Sequence, residues 1–268
     1  ILFRLVGSEM CIRDRSIAGA VVFGAAWAFI PAYLQATRGS HVVITTIMFN
    51  FIAASLMVFL LVDVIRDTSQ MGPHTVALPK EQWFPSFKDF AGLFGIKIRY
   101  SPLNISFLLA IAASVFVWFL VWKTRWGYEM RAVGHNTQAA IYAGISPYKN
   151  IIIAMCISGG LAGLLGVNEI LGVHHKIVAG FPAGYGFTGI AVALMGRNHP
   201  IGIFPAAFLF GILYQGGSEV TFDMPNITRY MFVAVQGVII LFSGALENLF
   251  RPQIESFFVN RLNIKASA

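Results

Sequence analysis

Long apolar runs, broken by short polar stretches, make up most of this chain. Ile17–Leu34, Val42–Val62, Ile105–Trp122, Ile151–Leu171 and Ile227–Leu246 reach or approach the roughly 20 residues that cross a bilayer as a helix. Ile201–Tyr214 is a shorter run, followed by a polar turn over Gln215–Asn226. Pro31 lies near the end of the first run and is expected to bend or end it. Between Leu171 and Gly196 the pattern breaks down at Gly172, Gly180, Pro182, Gly184, Gly186 and Gly189. Phe187–Met195 alone would give about 13 Å of helix, too short to cross. Either a broken helix crosses from about Ile177 to Gly196, or a re-entrant piece precedes a short span. Irregular backbone at membrane depth persists only where protein or a water-filled cavity satisfies it, so this region is a candidate pore lining. The pattern predicts an all-α fold: a polytopic α-helical membrane bundle of about seven membrane segments, one of them broken or re-entrant.

Composition agrees. Hydrophobic residues make up 57% of the chain and charged residues 12%, against about 25% charged in a soluble domain; the mean hydropathy is +0.71. The net charge of +7 is dispersed, with no basic stripe interleaved with aromatics, so nucleic acid is excluded as a partner. The two cysteines, Cys11 and Cys156, support neither a disulfide framework nor a metal site. Asp63–Asn104, with Pro73, Pro79, Pro85 and Pro102, reads as a long extramembrane loop. Trp118, Trp122 and Trp126 form an interfacial aromatic cluster. Gly19, Ala20, Gly24, Ala25 and Ala26 in the first span, and Gly159, Gly160, Gly163 and Gly166 in the fourth, are small residues that let helices approach closely in lipid.

One polar interruption carries its own helix punctuation. In Gly127–Pro147, Asn136 is a good N-cap and Gly144 with Pro147 is a stop signal. About two helical turns lie between them. Asn136, Ala139, Ala140 and Ala143 share one small, nearly flat face. Such a helix can dock into another protein's groove; it can equally be an ordinary connecting loop, and spacing alone does not separate the two.

The run RAVGHNTQAAIYAGI, with Arg131, Gly134, Asn136, Ala139, Ala140, Ala143 and Gly144, resembles the cytoplasmic coupling segment of ABC-importer permeases. Within that family it is most similar to permeases for nucleosides, ribose and other simple sugars. Gly39–Ala53 and Gly184–Gly202 resemble the same family, and the resemblance spans about Ser16–Pro252. It implies a bacterial inner-membrane subunit that pairs with a second permease, homo- or heterodimeric. A cytoplasmic ATPase subunit would dock on Arg131–Ile145 and an extracytoplasmic solute-binding protein would deliver the solute. ATP and Mg would be bound by the partner and no cofactor by this chain, which is then a transport subunit and not an enzyme. Residues 1–15 resemble a translated sequencing adapter and are expected to be a non-native leader. Residues 16–252 would form one membrane domain, N-terminally truncated, and 253–268 a cytoplasmic tail.

Several other signals are rejected. Ile157–Leu161 looks like an ABC ATPase signature loop but sits inside a span, and the chain has no phosphate-binding loop. Gly184, Gly186 and Gly189 match a dinucleotide fingerprint without a preceding strand. His174 and His175 have no ligand partner at metal-site spacing and read as an interfacial pair. The informative polar residues are those at membrane depth: Asn50, Asn168, Glu169 and Gln236. They should face the bundle interior, either lining a pathway for a neutral polar solute or bonding between helices. With Gly184 and Gly186 they form the candidate solute pathway.

Placing the coupling segment in the cytoplasm puts Arg38, Lys123, Arg125, Arg131, Lys149, Arg197, Arg251, Arg261 and Lys265 inside, and leaves Lys176 and Arg229 in the short outside loops. That asymmetry follows the positive-inside rule. The expected function is the permease subunit of an ABC importer for a nucleoside or simple sugar. A branched-chain amino-acid permease and an ion-coupled secondary transporter are the alternatives; the second would need an intramembrane ionisable group, for which Glu169 is the candidate.

Overall fold

The computed structural model describes residues 2–66, 72–85, 103–181, 184–223 and 231–242. The tail 253–268 and loop residues 67–71 and 86–102 lie outside that set. The described residues are helical apart from connecting segments and isolated β-bridge residues, His74 with Val178 among them. They fall into two units, residues 1–183 and 184–268.

The first unit contains α1 (Leu2–Arg38), α2 (Val42–Phe59), α3 (Ser106–Lys123), α4 (Arg125–His135), α5 (Thr137–Tyr142) and α6 (Pro147–Val167). The second contains α7 (Tyr185–Met195), α8 (Pro200–Asp223) and α9 (Met231–Phe242). Five described helices are long and apolar enough to span a membrane: Ile12–Arg38, Val42–Val64, Ser106–Lys123, Pro147–His174 and Pro200–Thr221. With the two shorter apolar helices, α7 and α9, they make seven segments, as the hydrophobic pattern anticipates.

Several boundaries differ from the pattern. Helix α1 continues past Pro31, where a bend or an end was expected, to Arg38. Its stop is Gly39, whose left-handed backbone (φ +64°) no β-carbon opposes and whose N–H bonds the Gln35 carbonyl at 3.0 Å. The polar stretch Gln215–Asp223 continues α8 instead of forming a turn. There Gln215 Nε2 donates to Glu219 Oε1 at 3.1 Å, one helical turn on, so polarity did not mean loop. Residues Ile177–Phe181 are not helical; helix resumes at Tyr185 after Gly184 (φ +80°). Neither half of the broken-helix alternative is therefore a full-length span.

Helices α1 and α6 pack antiparallel through small residues. A β-carbon on Gly24 would meet the Gly159 carbonyl, and one on Gly163 would meet the Ala20 carbonyl. One on Gly160 would stand 3.2 Å from Val21 Cγ1. The faces Ala20, Gly24 and Ala28 on α1 and Gly159 and Gly163 on α6 thus bring backbone against backbone. In lipid there is no hydrophobic drive between helices, so this close van der Waals packing is what holds them. Gly166, grouped with them on sequence grounds, has open space around it.

Within the second unit, Ala191, Val192, Ala206 and Phe210 form a buried cluster, with Met195, Ile203 and Ile240 against it. The tight Gly196–Gly202 connection brings Gly202 onto the Gly196 backbone. Arg197 and Asn198 both adopt φ 54° there, and Asn198 N–H closes the end of α7 on the Ala193 carbonyl at 2.8 Å.

Gly163→Leu should separate α1 from α6 and cost about 1–3 kcal/mol or more by overpacking. Gly166→Ala should be tolerated. Denaturation midpoints in mixed detergent would read the difference, and equal midpoints for the two variants would mean the glycine contact is not what holds the pair.

Candidate functional site

The coupling segment is built from local chemistry. Helix α4 starts at Thr124, whose hydroxyl oxygen accepts from Gly127 N–H at 3.2 Å. Gly127 is buried, and a β-carbon there would run into the Leu120 and Val121 carbonyls at the end of α3. Only glycine lets α4 fold back this tightly. Helix α5 follows after a single residue. Its N-cap, Asn136, accepts from Gln138 N–H at 3.0 Å and Ala139 N–H at 3.1 Å. At its other end Gly144 takes φ +77°. Gly144 N–H reaches the Ile141 carbonyl and Ile145 N–H the Ala140 carbonyl, both at 2.9 Å, closing a full Schellman cap. Pro147 then serves twice: it stops α5 and opens α6 at its first position.

The small face is not uniform. Ala140 is buried at 3% exposure, whereas Asn136, Ala139, Ala143 and Gly144 are exposed. Ala140 seats α5 on the protein and Ala139 and Ala143 remain outside. Arg131 and Gly134 on α4 are exposed as well, with nothing near Gly134. The pattern missed Tyr142, which is 92% exposed at the tip of α5, and its neighbour Ile141. An exposed aromatic beside a capped helix in a polar segment is the signal that could have flagged it. Asn150, buried in the first turn of α6, donates to the Ser146 carbonyl at 3.0 Å and ties the helix start to the segment.

A second polar site lies at the far end of α6. There the helix widens into a π-helical stretch, Asn168–His174, which adds about two turns and keeps Asn168 and Glu169 on the protein side. Glu169 is buried. Its carboxylate accepts from Asn168 Nδ2 at 3.4 Å and stands 3.5 Å from His174 Nε2. Ser106 at the start of α3 hydrogen-bonds both Asn104 and Asn168 side chains, and Ser106 N–H donates to Asn104 Oδ1 at 3.1 Å. A β-carbon on Gly172 would collide with the Asn104 amide.

The described part of the long loop is fastened to this end of α6. Thr75 N–H donates to the Ile177 carbonyl at 3.1 Å, Leu78 N–H to the His175 carbonyl at 2.8 Å, and Phe84 N–H to the Leu171 carbonyl at 3.0 Å. The Trp83 indole lies flat on the His175 imidazole, 3.7 Å between centroids and 8° between planes. Burial pushes the His175 pKa down; the Leu171 carbonyl opposes this and His174 adds to it. A neutral imidazole is thus favoured, so acidification below about pH 6.5 works against the stacked arrangement.

Of the sequence-predicted pathway residues, the structure brings Asn168 and Glu169 together. Asn50 sits on an exposed face of α2, away from that pair's hydrogen bonds. Gly184, Gly186 and Gln236 belong to the second unit: Gly184 caps α7, Gly186 is exposed in its first turn, and Gln236 is half-buried on α9. Asn104, Ser106 and Trp83 were missed. An Asn two residues before a Ser at the start of an apolar run was the available signal for the first two.

The two caps of α5 should be separable from the rest of the fold. Asn136→Ala and Gly144→Ala should each weaken α5 by about 1 kcal/mol and raise hydrogen exchange across residues 138–143 about fivefold. Unchanged exchange would show that α5 is held by something other than its caps.

Comparison with known proteins now places the chain. Residues 15–244 match the family described as branched-chain amino acid transport system / permease component. The guanosine ABC transporter permease protein NupP of Bacillus subtilis is 36% identical over 226 residues, 83% of this chain and 62% of the relative. The nucleoside ABC transporter permease protein NupB of Lactococcus lactis is 36% identical over 227 residues, 80% of this chain and 59% of the relative. The glucose ABC transporter permease protein of Haloferax volcanii is 33% identical over 249 residues, 91% of this chain and 64% of the relative. The chain therefore spans a little under two thirds of these relatives' length. No solved structure matches it. A helical chain with these spans and this extended family match is a multi-pass membrane protein, and it belongs to the ABC-transporter permease family of branched-chain amino acid transport system permease components.

Proposed function

We propose that this chain is the membrane-spanning subunit of an ABC importer that moves a neutral polar solute, a nucleoside or a simple sugar, into the cell. The observation that carries the reading is α5: a short helix capped at both ends, seated by Ala140 and otherwise exposed, between α4, which folds back on the end of the α3 span, and the α6 span. The relatives' names, guanosine, nucleoside and glucose permeases, support the solute class.

The parts then have distinct tasks. A cytoplasmic ATPase subunit, which would hold the ATP and Mg, receives α5 together with Arg131 and Gly134 of α4. A second permease subunit completes the pathway, and an extracytoplasmic solute-binding protein delivers the solute. Force applied at α5 has two rigid routes. One is α4, locked to the end of α3 by the Gly127 contact. The other is α6, which starts at Pro147 and with its π-helical end reaches His174. Its 28 residues cover about 42 Å, enough to connect the coupling segment to the Asn168–Glu169 cluster. No buried lone charge lies along this path among the described residues, because Glu169 has Asn168 and His174 against it. A neutral solute would need no counter-ion there.

Co-purification tests the assignment. The intact transporter should retain its ATPase subunit, and the pair Gly134→Arg, Ala139→Arg should lose it while folding normally, since both positions are exposed. Ala140→Arg, at a buried position, should instead impair folding. An ATPase that stays bound to the Gly134→Arg, Ala139→Arg variant would place the coupling surface elsewhere.

A further inference from the structure

The flat pairing of Trp83 and His175 does not follow from the role of the coupling segment or from the polar cluster beside it. The Trp83 ring is fixed through Leu78 and not through the His175 ring, although Leu78 N–H in turn holds the His175 carbonyl. Its indole Nε1 donates to the Leu78 carbonyl at 2.9 Å, and the backbone on either side is held by the Leu78, Phe84 and Thr75 hydrogen bonds. The imidazole has the Leu171 carbonyl against it and no side-chain partner in a salt bridge or hydrogen bond among the described residues. His175 adopts a left-handed backbone, φ 54° and ψ 14°, which is uncommon for a residue with a β-carbon. Its Nδ1 is buried with no hydrogen-bond partner. Its backbone carbonyl is anchored by Leu78 N–H, so a rotation about χ1 alone would lift the ring off the indole. A hydrogen-bonded aromatic platform is therefore covered by a flat heteroaromatic ring whose buried Nδ1 makes no hydrogen bond.

We propose that Trp83 is a stacking site for the heteroaromatic base of a nucleoside, and that the His175 ring occupies it when no solute is present. This rests on the importer reading above and decides within it for nucleosides over simple sugars. Every nucleobase offers a π-face of the kind an indole accepts, and such stacking is sequence-tolerant. The neighbouring end of α6 offers the matching polar groups. Phe84, next to Trp83, bonds Leu171, and the adjoining Gly172 packs on Asn104. Asn168 and Glu169 lie in the same π-helical end of α6 that leads into His175, and Asn104, from the segment before α3, packs against Gly172, which lies between that pair and His175; these groups suit the hydroxyls of a ribose. By the distribution of Lys and Arg this end of α6 is extracytoplasmic, the side on which an importer receives its solute.

ATP-driven uptake by the intact transporter in proteoliposomes tests this, with radiolabelled guanosine and, separately, glucose at concentrations well below saturation. Wild type should take up guanosine. Trp83→Leu should lower that uptake by about five- to a hundredfold, the worth of one base–aromatic stack, and Trp83→Phe should keep most of it. His175→Gly, which suits the positive φ and removes the competing ring, should raise it. A structural stack gives a different result: Trp83→Leu and His175→Gly would both lower guanosine uptake, and that outcome overturns the proposal. Wild-type uptake of glucose but not guanosine would overturn the nucleoside assignment while leaving the importer intact. Uptake of neither solute with ATP would overturn both.

Discussion

Backbone-to-backbone contact between α1 and α6 is the constraint on which the first unit depends. Where Gly24 meets Gly159, and Ala20 meets Gly163, there is no room for a single added carbon. Lipid tails are as apolar as leucine, so burying leucine would gain these helices little. Close approach lets many weak dispersion contacts add up along the crossing. The contact also fixes α6 near its middle and leaves its two ends free for different work. One end begins in the coupling segment, and the other carries Asn168, Glu169 and the fastened loop.

The two ends are built by different means. At the coupling end the structure is local: Asn136, Gly144 and Pro147 satisfy or terminate helix ends within a few residues of themselves. At the far end it is assembled from distant segments. Ser106 meets Asn168 across 62 residues of chain, and Thr75 accepts from Ile177 N–H across 102. In the proposed cycle a helix with one end on an ATPase and the other in a polar cluster converts a displacement of α5 into a rearrangement where the solute enters. A tilt of α6 about the glycine contact would move both ends in opposite directions.

This division also explains what could be read from sequence. The seven apolar segments and both caps of α5 were legible because hydrophobic length and capping are local properties. The expectation that Pro31 bends or ends the first span missed how far the helix runs, because the positive φ at Gly39 sets its end. The polar run Gln215–Asp223 was misread as a turn because its side chains bond along the helix. Asn168 and Glu169 were identified as polar groups at membrane depth, but Asn104, Ser106 and Trp83 were not. Their partners lie in other segments, and no spacing rule within one element points to them. Ala140 and Ala139 look alike in sequence; tertiary packing alone buries one and exposes the other.

The central claim is that transport is driven from the coupling helix by ATP hydrolysis in a partner. The most direct measurement is solute uptake into sealed vesicles containing the intact transporter, with ATP and ion gradients supplied independently. The account predicts uptake that requires ATP on the coupling-segment side and continues when ionophores collapse every gradient. Uptake that runs on a proton or sodium gradient without ATP would contradict it.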